Sequence, residues 1–585
     1  MNMNKLTWLT VVSTVIFTTA ANALLGPITI YLNTEYRTES PVIGSIASTI
    51  KLTKGEIQQT GANTFTELLA TIPSVSFEGG QGNLRALRIR GNEASHTLLL
   101  VDGSVVSITA TQPNFDVVPL DQIERIEITK GPFSSLYGPG AIGGVIHVFT
   151  NKESIQAKQS RIKLSYGTHN SKKISFSSHF KSKENYFNLS ISDYHTDGID
   201  ATGNGDLDPI DRTSSSFNIG TVISDKTHIK LNVLKTDATI EYDDSWGTPK
   251  PDNNLTQFNI VTTHQFSDKL KTRLDFMRQN TQRRGDKYKL NTSTLINELS
   301  LDNAKLSIGL SNVVDKDVGN AKQIKHTDLF SQWQGLIGDN ELSLGLRLVD
   351  HDKFSTHTTY NLNWAKDYSA STRLSASFGK ATNLPSHYQN NLNISRSKTN
   401  LKPEHSTNFE IGVNKQYDWG SVDTKIYKSK VSNAFKYAGT WGVDDHYTNE
   451  GIVDIKGAEF SINTHLVGWD VRANYDYNTA VAKSTDLQKG RRPNHSVGLT
   501  LIKNTDKFDH KINLAAKSWV WDKDSHTSDI KLGGYGLFNL STRYHYDNDT
   551  SISLNINNAL NKQYEMARGY NTLGRTITLG TAYSF

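Results

Sequence analysis

Ser551-Ile552-Ser553-Leu554-Asn555-Ile556-Asn557 decides the fold class. Polar and apolar residues alternate strictly. An extended chain therefore sends Ile552, Leu554 and Ile556 to one face and Ser553 and Asn555 to the other. The same texture returns in Arg161-Ile162-Lys163-Leu164-Ser165-Tyr166, in Tyr186-Phe187-Asn188-Leu189-Ser190-Ile191-Ser192 and in Thr576-Ile577-Thr578-Leu579-Gly580-Thr581-Ala582-Tyr583. It starts near Ser160 and runs to the C-terminus, broken by turns rich in Asp, Asn, Gly and Lys. No fixed-length repeat emerges, which speaks against a propeller or solenoid.

Alternation over so long a stretch has two physical solutions: stacked soluble sheets, or a transmembrane barrel with one face to lipid and one to a polar lumen. Composition favours the barrel. Hydrophobic residues make up 36% and mean hydropathy is −0.48, whereas ordinary domains run at about 45–50% apolar with Gly included. A barrel needs only its outer face apolar. The 23 Tyr, 22 Phe and 9 Trp argue against a disordered chain. The chain ends inside a strand, at Tyr583-Ser584-Phe585, as suits a sheet that closes on itself. No apolar run of about 20 residues lies beyond the N-terminus, which excludes a helical membrane protein. The absence of Cys excludes disulfides and thiolate metal sites. A net charge of +5 is too small for a nucleic-acid partner.

The N-terminus reads as a secretory signal over 1–23. Lys5 gives the positive start, Leu6 to Ala20 the apolar stretch, and Ala21-Asn22-Ala23 the small-x-small cleavage site. Residues 24–152 are mixed. Thr64 is expected to cap a helix with Glu67 as its capping-box partner, and Pro73 to stop it. Thr97 to Val101 and Ile123 to Thr129 read as short strands. Gly138-x-Gly140-x-x-Gly143 matches a dinucleotide fingerprint by letters alone, without the flanking strand and crossover helix. The 18 His are scattered without ligand spacing, and no catalytic constellation stands out, so the reading is not an enzyme.

Four blocks carry a family resemblance. They are Leu84 to Gly91 with Leu98 to Gly103; Ile123 to Pro132 running on to Leu136-Tyr137-Gly138 and Ala141 to Ile146; Asn449-Glu450-Gly451 with Lys456-Gly457-Ala458-Glu459; and Asn558 to Glu565. Together they resemble TonB-dependent outer-membrane receptors, and the likeness spans the mature chain. It implies an all-β transmembrane protein, a 22-stranded antiparallel barrel over 153–585 with an N-terminal mixed α/β plug domain in the lumen. It also implies a monomer set in outer-membrane lipid and coupled to the TonB energy complex. Ile28-Thr29-Ile30-Tyr31-Leu32 resembles the TonB box, followed by Arg37 and lacking the usual leading acid.

Within the family, Arg90-Gly91-Asn92-Glu93-Ala94-Ser95-His96 is similar to the plug segment of cobalamin (vitamin B12) receptors. That likeness implies cobalamin as transported ligand. By position, it would meet Leu84, Ala86, Glu93, Thr111 and Gln112 of the plug, with Thr294 and Arg491 of the barrel. The likeness also implies calcium at an Asp-rich loop pair: Asp200, Asp206, Asp208 and Asp211, then Asp243 and Asp252. Carboxylate oxygens suit hard Ca²⁺; the alternative is a solvated Asp/Gly turn. Asp206 and Asp208 keep the family's one-residue spacing, while Asp208 and Asp211 do not. The competing substrates are haem and ferric siderophores. His387, between Asn383-Leu384-Pro385 and Asn400-Leu401-Lys402-Pro403-Glu404, is the candidate haem ligand; otherwise it is a polar surface residue of a loop.

Overall fold

The computed structural model describes residues 34–38, 41–78, 86–106, 108–109, 112–150, 158–183, 185–243, 252–523 and 530–585. The signal segment 1–23 and Ile28, Thr29, Ile30, Tyr31 and Leu32 lie outside the described residues, as do Leu84 and Thr111.

The alternating part of the chain closes into a 22-stranded antiparallel barrel. Each crossing strand pairs with its sequence neighbours, from Lys158–Gly167 to Thr576–Ser584. Those two strands seal the cylinder: Arg161 stands opposite Ser584, and Gly167 opposite Thr578. Ser160 and Phe585 exchange backbone hydrogen bonds of 2.9 and 2.8 Å at the seam. The terminal Phe585 thus completes the ladder that alternation required. The two faces sort as the pattern demands. Leu164, Ile174, Leu310, Leu346, Ile426 and Leu579 are exposed on the outer wall, while Ser214, Asn232, Gln257, Gln279 and Arg347 are buried inside.

The two ends differ. One carries tight turns such as 225–226, 338–339 and 467–468; the other carries loops such as 384–403, 433–451 and 558–575. Short turns mark the periplasmic end of such barrels and long loops the outside. The chain enters at Lys158 and leaves at Ser584 on the short-turn end.

The N-terminal region fills the lumen. Its sheet runs Ser48–Thr53, Arg125–Lys130, Gly144–Phe149, Thr97–Val101, Ser104–Val105. Thr97–Val101 lies parallel to Gly144–Phe149 and the other pairs are antiparallel. Phe65, Leu68, Leu69, Leu99, Ile126, Ile128, Ile146 and Val148 form its core, joined by Leu234 and Leu255 from the wall. Two short helices frame it, α1 (Lys54–Gln58) and α2 (Phe65–Ala70). Thr53 and Glu56 form a full capping box on α1. On α2, Thr64 accepts from the Glu67 N–H at 3.2 Å, but the Glu67 carboxylate turns to the Asn63 N–H at 2.9 Å. The expected reciprocal bond is thereby shifted one residue upstream. The helix ends at Ala70, ahead of Pro73. A third helix, α3 (Ser134–Tyr137), precedes the glycine loop. The last plug strand ends at Phe149 and the first barrel strand starts at Lys158.

Candidate functional site

The plug reaches its apex through the strand Ala86–Ile89 and then reverses at Arg90-Gly91, with φ of 53° and 71°. A Cβ on Gly91 would sit 2.7 Å from the Asn478 amide oxygen of the wall, so both conformation and closeness require glycine. The reversal presents Glu93 to three cations: Arg492 at 2.5 Å, Lys489 at 3.3 Å and Arg88 at 3.7 Å. Burial pushes the Glu93 carboxyl up, but these cations together hold it well below the usual carboxylate range. Arg88 also pairs with Glu78 at 2.6 Å, Glu78 lies 3.9 Å from Arg491, and Arg491 pairs with Asp522 at 3.0 Å. Lys489 reaches Glu450 at 3.1 Å. One ionic web thus ties the plug apex to the loops 433–451, 483–494 and 518–534.

Of the residues expected to meet substrate, Glu93 and Arg491 stand in this web. Ala86 lies beside it, opposite Glu78 in a two-stranded ladder. Gln112 is buried in the two-residue strand Gln112–Pro113, which packs against the turn Ala94–His96 that follows Glu93. Thr294 is on the far wall, bonded to Ser311 at 2.8 Å. Ser95, two residues beyond Glu93, lines one cavity with Thr294.

Below the apex sits a buried latch. Arg90 bonds Glu459 through Nε and Nη2, both at 2.8 Å, and Glu410 through Nη1 at 2.6 Å. Its guanidinium lies 4.1 Å from the Tyr427 ring centroid, and Lys130 joins Glu459 at 3.0 Å. Bidentate Arg–carboxylate geometry fixes the plug to the wall in orientation as well as energy. No motif or spacing in the sequence assigns a role to Glu410 or Glu459. The quoted Lys456-Gly457-Ala458-Glu459 block was the available signal for the second.

A cavity of about 200 Å³ runs between plug and wall, lined by Ser95, Leu98, Thr294, Asp315, Arg347 and His387 among others. That is below the roughly 300–1,000 Å³ typical of ligand pockets. On one side the plug strap Thr34–Thr38 lines it through Arg37. Arg37 lies 5.5 and 5.0 Å from the rings of Tyr137 and Phe330 and donates to the Leu136 carbonyl at 2.7 Å. Arg347 donates to that same carbonyl and to Asp328 at 2.5 Å.

His387 is not a surface residue. It opens helix α4 (His387–Ser395) within the loop 384–403 and is 3% exposed. Ser386 caps that helix: its hydroxyl accepts from the Gln389 N–H at 3.2 Å, and the Gln389 side chain accepts from the Ser386 N–H at 2.9 Å. Burial pushes the imidazole below its ordinary value, so it is neutral at pH 7. Its Nε2 lies 3.7 Å from Asp315 and makes no hydrogen bond among the described residues.

The acidic loops also resolve into parts. Asp200 folds its own loop, accepting from the N–H groups of Gly203, Asn204 and Gly205 at 2.6, 3.1 and 2.8 Å. Asp208 is buried, accepts from the Ala201 N–H at 3.0 Å, and is pushed up to about 6 by burial and then by the charges of Asp243, Glu241 and Asp200. Asp243 accepts from Thr202 at 2.5 Å and Asn204 at 2.9 Å, bridging the two loops. Asp206 is exposed and accepts from the Leu207 N–H at 3.0 Å. Asp211 is on the outer wall, bonded to His195 at 2.8 Å, and Asp252 is an exposed strand start. Glu241, which sequence reasoning passed over, belongs to the converging set through its neighbour Asp243. Among the described residues no group of three or more His, Asp or Glu is arranged to hold a metal ion. The donors are all oxygens, the type a hard divalent cation takes, and the charges of Asp243, Glu241 and Asp200 add to burial in raising Asp208.

A closed barrel with its lumen filled by its own N-terminal domain, under charged loops, defines a plugged outer-membrane receptor. The chain belongs to the TonB-dependent receptor family: residues 151–559 match the model "TonB dependent receptor-like, beta-barrel" and 41–145 the model "TonB-dependent Receptor Plug Domain". It is an outer-membrane protein of a transport family that couples to TonB, not of an enzyme family. A curated relative, the vitamin B12 transporter BtuB of Vibrio cholerae serotype O1, is 26% identical over 94% of this chain and 95% of that protein. Among solved structures, the ferric enterobactin receptor PfeA of Pseudomonas aeruginosa covers 92% of this chain and 98% of its own at TM-score 0.80 and 16% identity. The copper transporter OprC matches with the same coverage at 0.78 and 17%. At such identities these structures establish the fold alone.

Proposed function

We propose that this receptor imports cobalamin across the outer membrane. The observation that carries the reading is the kinship with a vitamin B12 transporter along nearly the whole of both chains. The convergence of Asp208 and Asp243, with Glu241 beside them, from the two loops where cobalamin receptors place calcium supports it. These carboxylates would hold the ion, which would relieve their mutual repulsion and fix both loops before substrate arrives. Substrate would dock on the apex web and the loop rim, because the cavity below is too small for a corrinoid. An outer membrane sustains no ion gradient, so the energy for passage comes through TonB and the plug. The test is direct binding of cyanocobalamin to the purified receptor in detergent with Ca²⁺. The expected dissociation constant is nanomolar, about −12 kcal/mol; no binding at micromolar cobalamin removes the assignment.

One observation favours haem as the second reading: a buried imidazole, His387, which lines the cavity and whose Nε2 makes no hydrogen bond among the described residues. A haem Soret shift that disappears in His387→Ala, with no cobalamin binding, would promote it.

A further inference from the structure

The outer wall carries a cationic patch that neither substrate reading uses. Four strands build it: Thr372–Asn383, Glu404–Tyr417, Gly420–Ser432 and Ile452–Leu466. Along the third, Tyr427, Ser429 and Val431 are buried inward, so Lys428 and Lys430 point outward and are exposed. Register then places Lys428 directly opposite Lys456, which is exposed on the neighbouring strand. On the other side, Thr407 stands between Lys430 and Lys380. Directly opposed like charges destabilise an antiparallel pair, yet none of these four lysines has an ion-pair partner among the described residues. The acid in the row, Asp454, opposes Lys430 but pairs with Lys483 at 3.7 Å. Elsewhere on the wall the problem is solved locally: Lys235 pairs with its neighbour Asp237 at 2.7 Å.

The patch also has a fixed depth. Phe409 is opposite Lys428, and Ile426 is the next outward residue below it; they are 50% and 54% exposed. Phe378 and Tyr360 continue the apolar rim beneath and beside Lys380. The lysines therefore stand where the lipid-facing apolar band of the outer half gives way to headgroups. Long cationic side chains at that level meet whatever the headgroups present.

We propose that Lys380, Lys428, Lys430 and Lys456 form a binding site for the phosphate of an outer-leaflet lipid headgroup. A phosphate oxyanion bridging Lys428 and Lys456 turns their repulsion into two charge-assisted contacts, while the acyl chains lie on Phe409 and Ile426. The site anchors lipid to one sector of the barrel, beneath the loops 384–403 and 433–451, and operates whatever substrate the lumen carries.

The test uses the full receptor in phosphatidylcholine bilayer discs containing diphosphorylated lipid A, its dephosphorylated form, or neither, with retained lipid counted by native mass spectrometry. Wild type should retain lipid A selectively over the dephosphorylated form. Lys428→Gln/Lys456→Gln should weaken retention roughly tenfold or more, since each surface cation near an anionic headgroup contributes substantially. Lys428→Arg/Lys456→Arg should retain it, and Lys235→Gln should change nothing. Heat-modifiable gel mobility establishes that each variant is folded. Equal retention by wild type and the Gln variant, or no dependence on the lipid's phosphates, overturns the proposal. Complete displacement of lipid A by inorganic phosphate in detergent would assign a free-anion site instead, and would overturn the lipid assignment.

Discussion

At the residue scale the decisive groups are charges placed where water is scarce. Arg90 is the strongest case, because the plug docks through it. Removing one partner of a buried ion pair leaves the other charge stranded, at about 3–5 kcal/mol. Lys130 still neutralises Glu459 and Lys425 still lies 3.7 Å from Glu410, so Arg90→Ala is expected at the low end of that range. Hydrogen exchange should quicken in the plug sheet and stay unchanged in the barrel strands; unchanged exchange in both would remove the latch. Asp208 supplies the pH dependence. The folded loop keeps its proton up to about pH 6, while an unfolded aspartate releases it near about 3.9. Its contribution to loop order is therefore fully present below the unfolded value and lost as pH rises through the folded one. In chelator, the loop 197–209 should be better protected at about pH 5 than at about pH 7 after correction for intrinsic exchange, and Asp208→Asn should abolish the difference. The site was only partly legible in sequence for the same reason. Glu93 and Arg491 could be carried over by position and do meet through Arg88 and Glu78. That Asp211 would bond His195 on the outer wall depends on which face the strand turns, one residue either way.

At the element scale, period two fixed the barrel strands because each has one face to lipid and one to the lumen, so register and side are the same decision. Helices were harder. Helix α4 lies in what reads as a polar loop, and its signal is only Ser386 followed three residues later by Gln389, with no apolar stripe. Its stability rests on that cap, so Ser386→Ala is expected to destabilise the helix by about 1 kcal/mol. Faster exchange across 387–395, with the flanking strands unaffected, would check it. The plug strap is the second element with a job. Glu35 accepts from the N–H groups of Ile46 and Ala47, both at 2.8 Å, and Arg37 is wedged beside Arg347. The stretch just before it holds Ile28 to Leu32, where an extended segment would add as a strand to a partner's sheet edge. Proline cannot donate in such a ladder. Ile30→Pro is therefore expected to abolish uptake of radiolabelled ligand while surface binding stays intact; wild-type uptake would remove the TonB-box assignment.

At the scale of the whole molecule, transport and closure conflict. Inside a sealed ladder of hydrogen bonds, the lumen is filled by a domain whose core shares Leu234 and Leu255 with the wall. Gln257 and Gln279 face each other across two strands and hand their amides to the plug carbonyls of Val101 and Val105, both at 3.1 Å. The cavity beside Thr294 is too small for the proposed substrate, so the plug must move against the wall during each passage. The chain contains no Cys, which allows the motion to be blocked at one chosen point. Ser135 of helix α3 donates to Asn361 of the wall at 2.5 Å, directly across the plug–barrel contact. Joining Ser135→Cys and Asn361→Cys, by a disulfide or a short bifunctional thiol reagent, tethers α3 without touching the apex web. Ligand binding at the surface should be unchanged, uptake should stop, and reductant should restore it for the disulfide form. Undiminished uptake with the tether confirmed by mass spectrometry would show that α3 stays in place during transport. Passage would then have to open on the strap side, through withdrawal of Thr34–Thr38 from beside Arg347.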